Sequence, residues 1–166
     1  MAIIDALLQE LEHEAKTTRR VLERVPDGQL GWRPHPKSRT LGELALHVAG
    51  TPGAVARFAI QSEMQPPDFE DRIPKTASEL LPALEESIAT AKQLLGSMDD
   101  ATLNATWRLK RNGQEIMAIP RAMLLRSIML NHWYHHRGQL SVYLRELGVP
   151  VPSIYGPSAD ENPFAS

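Results

Sequence analysis

Between residues 2 and 24 the apolar positions Ile4, Leu7, Leu8, Leu11, Ala15, Val21 and Leu22 recur among charged ones, mostly at intervals of three and four. That spacing lines one face of a helix, so it predicts a first amphipathic helix. Pro26-Asp-Gly28 ends it, and Gly31-Trp-Arg-Pro-His-Pro36 holds too much proline to be helical. A second helix is expected from Thr40, where Glu43 completes a capping box. Leu44, His47, Thr51, Ala54 and Phe58 fall on one side of it. Pro52 removes the hydrogen bond to the Val48 carbonyl, which predicts a kink or break one turn past His47. A polar loop over 64–76, with Pro66, Pro67 and Pro74, leads to a third helix from Ser78 to Leu95. Pro82 suits its first turn and Gly96 stops it.

The rhythm then changes. Asn112-Gly113 between two short runs within 106–118 signals a two-residue β-hairpin. Arg108, Lys110 and Arg111 read as its solvated tip. Pro120 opens a fourth helix and Gly148 closes it, a length of roughly 42 Å. Leu125, Met129, His132, His136, Leu140, Tyr143 and Leu147 are expected to form its buried stripe, with Arg137 and Glu146 on the surface. The prolines after Gly148 predict an extended tail. The pattern as a whole predicts an all-α protein: one domain over 1–166, a four-helix bundle with a small β-hairpin between helices 3 and 4. Bundles build ligand sites from side chains on facing helices.

Composition narrows the function. The 166 residues are 42% hydrophobic and 23% charged, with net charge −2. That balance offers no electrostatic case for nucleic acid or an anionic membrane. No stretch reaches the ~18 apolar residues that span a bilayer. An acid at Asp5, and no long apolar core after it, does not fit a signal peptide, so a cytoplasmic location is expected. The chain has no cysteine. Thiolate ligands and a cysteine nucleophile are therefore excluded, and any thiol chemistry would use a thiol from a substrate.

His132 and His136 stand four residues apart, on one face of the fourth helix. Two imidazoles so placed can grip one metal ion. His47 would add a third from the second helix. Three neutral imidazoles leave a coordination position open, which favours catalysis or ligand binding over a structural staple. The plainer alternative is a set of core histidines satisfied by hydrogen bonds, each needing a polar partner. Glu43, one turn before His47, has three open roles: orienting an imidazole, acting as a base, or only capping, with capping weighted most. His135 reads as a rim residue. Glu10-x-x-His13 has half the spacing of a carboxylate-bridged di-iron bundle but no second copy, so His13 is expected to be exposed. Asn131, Tyr134 and Gln139 are pocket candidates. Trp32, Trp107 and Trp133 read as core.

The segments His132-x-x-x-His136-Arg-Gly-Gln, Leu-Gly-Val-Pro-x-Pro and Tyr155-Gly-Pro-Ser-Ala-Asp160 resemble the DinB-like superfamily. So do Trp32-Arg-Pro34 and Leu41-Gly-Glu-Leu44 followed by His47. The resemblance covers nearly the whole chain. It implies a four-helix bundle, often dimeric, whose three corresponding histidines bind a divalent ion, commonly zinc or nickel. Carried over, the ligands are His47, His132 and His136. It also implies activities of the metal-dependent hydrolase kind, or of thiol-dependent transferases and isomerases that use a low-molecular-weight thiol.

Together these readings favour a metal-dependent enzyme acting on a small-molecule substrate, of S-transferase or hydrolase type, with Glu43 the candidate base. The alternative is a non-catalytic metal- or small-ligand-binding stress-response protein. A homodimer, no nucleic acid and no membrane partner complete the expectation.

Overall fold

The computed structural model describes residues 2–67 and 72–165. Helix α1 runs over Ile3–Leu22 and buries Ile4, Leu7, Leu11, Glu14, Thr18 and Val21 at alternating intervals of three and four. Its first free amide, on Ile3, donates to the Asp100 carboxylate at 3.0 Å. Helix α2 spans Leu41–Ala59. Thr40 caps it as expected: the Glu43 amide donates to Thr40 Oγ1 (3.2 Å), and the Thr40 amide donates to Glu43 Oε2 (2.7 Å). Strand β1 (Glu63–Met64) opens the expected loop, of which residues 68–71 lie outside the described residues. Helix α3 covers Leu80–Leu95, followed by the one-turn helix α4 (Asp100–Asn104).

Strands β2 (Thr106–Arg111) and β3 (Gln114–Pro120) form the expected hairpin. Asn112 and Gly113 turn it with φ of 51° and 80°, the left-handed pair a tight hairpin turn requires. β1 adds a short parallel strand beside β2, making three strands rather than two. A two-residue strand carries no periodicity, so the sequence gives no sign of it. The sheet is tied to the end of α2: the Trp107 indole donates to the Phe58 carbonyl at 3.1 Å. Buried Arg121 donates to the Ala59, Gln61 and Thr102 carbonyls. Orphan carbonyls at a helix C-terminus favour a cation there.

The fourth long helical run has three parts: α5 (Arg121–Leu124), a π-helical segment (Leu125–Asn131) and α6 (His132–Glu146). Pro120 ends β3 and caps the run, rather than occupying its first helical position. The expected buried stripe is correct only at its start and at Leu140. Downstream of the π segment the buried positions are Trp133, Arg137, Leu140 and Leu144. A π turn holds one more residue than an α turn, so it advances the buried face by one position, about 100°. The core receives Trp133 in place of His132, and Arg137 in place of His136. The histidines move to the flank facing α2. Gly148, at φ 71°, ends the run as expected.

α2 meets α3 at Gly53, whose amide donates to Ser87 Oγ at 2.7 Å. A Cβ on Gly53 would stand 2.9 Å from the Ser87 Cα and carbonyl oxygen. Among the described residues, no helix is long and apolar enough to cross a membrane.

Gly53→Ala is expected to lower unfolding stability by about 1–3 kcal/mol, since neither backbone can yield. Gly138, whose Cβ position is open, should gain stability on the same change, by up to ~1 kcal/mol. Urea unfolding of the two variants checks the contrast.

Candidate metal centre

Two backbone devices set the candidate ligands opposite each other. Pro52 sits inside α2 without breaking it. Having no N–H, it leaves the Val48 carbonyl without its intrahelical donor. The Trp133 indole fills that vacancy from α6, donating to the Val48 carbonyl at 2.7 Å in a buried bond. Val48 follows His47, and Trp133 follows His132, so this bond sets the register of the two histidine-bearing segments. The Thr51 hydroxyl also donates to the His47 carbonyl at 2.6 Å, closing the turn that carries the ligand.

His47, His132 and His136 converge between α2 and α6. Their ring centroids are 5.2 Å (47–132), 4.6 Å (47–136) and 4.4 Å (132–136) apart, with planes nearly perpendicular. One ring nitrogen from each lies within 4.8 Å of the others. His132 Nε2 and His136 Nε2 are 2.9 Å apart. The His136 Nδ1 lies 2.7 Å from Gln139 Oε1. With that oxygen as acceptor, Nδ1 carries the proton and the Nε2 lone pair points inward.

Electrostatics keep the rings neutral. Burial is the main cause of a His47 pKa pushed down to about 3, assisted by Arg39 and the other two rings. Burial likewise pushes His136 down to about 4, against the Gln139 hydrogen bond. His132 is lowered by burial, then by His135 and Arg39; the Ile128 carbonyl one turn earlier works weakly the other way. His47 Nε2 and His132 Nδ1 are buried without a hydrogen bond of normal geometry. Neutral imidazoles, an inward lone pair on His136 and an unpartnered buried nitrogen on His47 fit the donor set of a divalent cation.

The other candidates divide. Glu43 is engaged as the α2 cap, and it also borders a cavity of about 470 Å³ onto which His47 and His132 open. Asn131, Tyr134 and Gln139 do not line that cavity. Asn131 is exposed, Gln139 holds His136, and the Tyr134 hydroxyl donates to Glu10 at 2.9 Å. His135 is exposed at the rim, 5.0 Å from the His136 ring, and His13 is exposed on α1. Trp107 and Trp133 are core, whereas Trp32 is half-buried, edge-on to Tyr143 at 5.5 Å.

Arg137 corrects the sequence reading. It is 1% exposed, not a surface residue. Its guanidinium is 2.6 Å from Glu14 Oε2, and it donates to the Glu14 carbonyl (3.2 Å) and Thr18 Oγ1 (3.1 Å). It also donates to the Tyr155 hydroxyl (2.6 Å), which in turn donates to Glu14 Oε2 at 3.0 Å. The Tyr134 and Tyr155 rings flank it, each centroid 5.2 Å from Cζ. This network backs the helix directly behind His136. Glu14 and Thr18 continue the three-four spacing of Leu7 and Leu11, so α1 offers two polar groups to the core, which is the sequence signal for a buried partner. Arg39, which biases all three rings, lies in the turn before α2 and shows no spacing signal.

The chain belongs to the DinB family, whose sequence profile matches residues 2–163. It is 30% identical over 159 residues to the uncharacterised Bacillus subtilis protein YrdA, covering 95% of this chain and 91% of YrdA. A DinB-like protein from Bacillus cereus shares its fold at TM-score 0.71 and 23% identity, over 91% of this chain and 97% of that one. YfiT from Bacillus subtilis, described as a probable metal-dependent hydrolase with an unusual four-helix bundle topology, aligns at TM-score 0.65 and 20% identity, over 87% of each chain.

Removing the Arg137 side chain with Arg137→Ala leaves the Glu14 carboxylate buried without its cation. A loss of about 3–5 kcal/mol in denaturant unfolding is expected. The histidines add a pH signature. Their unfolded pKa is near 6.5, and the folded values of His47 and His136 are about 3 and 4. Below 6.5 the unfolded chain binds more protons, so the metal-free protein should lose stability as pH falls, with no such loss above about pH 7.5. Between about pH 6.5 and 5 most carboxylates remain ionised, which isolates the histidines. A urea midpoint that does not move across that window, or that falls equally in a His47→Ala/His136→Ala variant, would contradict this.

Proposed function

We propose that His47, His132 and His136 bind one divalent metal ion, zinc or nickel, and that the protein is a metal-dependent enzyme acting on a small molecule. The observation that carries this reading is the convergence of three neutral, half-buried imidazoles from two elements, with His47 Nε2 lacking any protein donor. Held by His47, His132 and His136, a divalent ion would supply Lewis acidity toward a water or thiol.

The chain's own residues supply the rest. Gln139 holds the His136 tautomer. Trp133 and Pro52 hold the spacing between the two ligand segments. Glu43 borders the cavity one turn before His47, where its carboxylate can accept a proton while Oε2 keeps the Thr40 cap. Hydrolysis and transfer from a low-molecular-weight thiol both suit this arrangement. The description of YfiT supports the first, and the absence of cysteine is consistent with the second. The family resemblance supports a homodimer.

Elemental analysis of tag-free protein tests the reading. About one ion per chain is expected, lost in His132→Ala/His136→Ala and in His47→Ala. Failure to take up zinc or nickel after incubation with either would overturn it.

A further inference from the structure

The face of α2 that carries His47 continues past it as the lining of the cavity. Glu43, His47, Gly50, Ala54 and Phe58 recur at intervals of three and four, and all line the 470 Å³ cavity. From His47 to Phe58 this face is about 16 Å long at 1.5 Å per residue. Leu46, Val55 and Ile128 make its walls apolar. Its two charged lining residues are both engaged: Glu43 holds the Thr40 amide, and Arg72 pairs with Glu79 at 2.9 Å. A volume of this size, apolar and open at one end onto two imidazoles, has the character of a small-molecule site.

We infer that this groove binds an uncharged apolar segment of the substrate, an alkyl or aryl chain, and presents the adjoining polar group to His47 and His132. The inference rests on the proposed metal centre for where the polar group goes, but not for where the chain lies. The floor explains the choice of occupant. Gly50 is helical, and a Cβ built on it meets nothing within 4 Å. The space above it is therefore groove, not packing. Arg72 is paired with Glu79, so the described lining leaves a charged tail only the second oxygen of Glu43 beside His47, whereas each methylene buried along the apolar walls gains affinity.

The test has two arms. In zinc-loaded protein, octanohydroxamate should bind at least about tenfold more tightly than acetohydroxamate, because only the first places methylenes in the groove. In Gly50→Leu, and independently in Ala54→Leu, that gain should vanish while zinc content and acetohydroxamate affinity persist. Equal affinities in the native protein, or a gain that survives both variants, would overturn the inference. The second arm needs no metal. Octan-1-ol titrated into metal-free protein should shift the Gly50 and Ala54 amide resonances saturably, and Gly50→Leu should abolish the shift. No saturable shift would overturn the groove even if zinc binds. Saturable binding with no zinc uptake would sustain the groove and overturn only the metal centre.

Discussion

The buried hydrogen bond from the Trp133 indole to the Val48 carbonyl sets how α2 and α6 meet, and the three-histidine cluster inherits its dimensions from it. The bond exists because a proline withdraws a competing donor. An ordinary residue at position 52 would bring its own amide to that carbonyl, and the indole would have to share the acceptor. An unmatched buried polar group costs ~1–3 kcal/mol, enough to make sliding one helix along the other unfavourable. The helix-breaking residue therefore joins two helices instead of ending one. It does so within one residue of His47 on one side and of His132 on the other.

A second constraint comes from behind. α1 contributes no ligand, yet its carboxylates hold the histidine-bearing run at two heights. Glu10 receives both Arg126 nitrogens at 2.7 Å and the Tyr134 hydroxyl, and Glu14 takes Arg137 and Tyr155. The outer pair is partly exposed and screened, so it adds little stability. The inner pair is desolvated, and a buried ion pair is weak evidence of net stabilisation. Its value is directional: four polar partner atoms around one planar guanidinium admit few orientations of the helix that bears it. Tyr155 reaches this network from the segment after Gly148, so the chain's two terminal regions meet behind the site.

Much of this was legible in the residues. The three long apolar periodicities, the Thr40–Glu43 cap, the Asn112–Gly113 turn and the Gly148 stop are local signals, and local chemistry decides them. The three histidines that the structure brings together are also those that spacing and family resemblance single out. What escaped depends on long-range partners or on helical phase. Pro52 was readable as a vacancy at Val48, but nothing near it in sequence names Trp133 as the donor. Arg137 was placed outside because α6 was read at constant α pitch, and because charged residues are rarely buried unless paired. Its pair lies 123 positions away.

The π segment shows what that phase is worth. A helix of uniform pitch behaves as a screw with one continuous thread: whatever face it gives the core at one end, it gives at the other. Here the thread skips once. Upstream of the skip, Leu125 and Met129 engage the core; downstream, the same azimuth belongs to Trp133 and Arg137. The histidines thus owe their place at the boundary between interior and cavity to a surplus residue wound into the turn before them. Rewind the same residues at α pitch and every side chain after that turn rotates together, carrying the histidines inward and the tryptophan off its carbonyl.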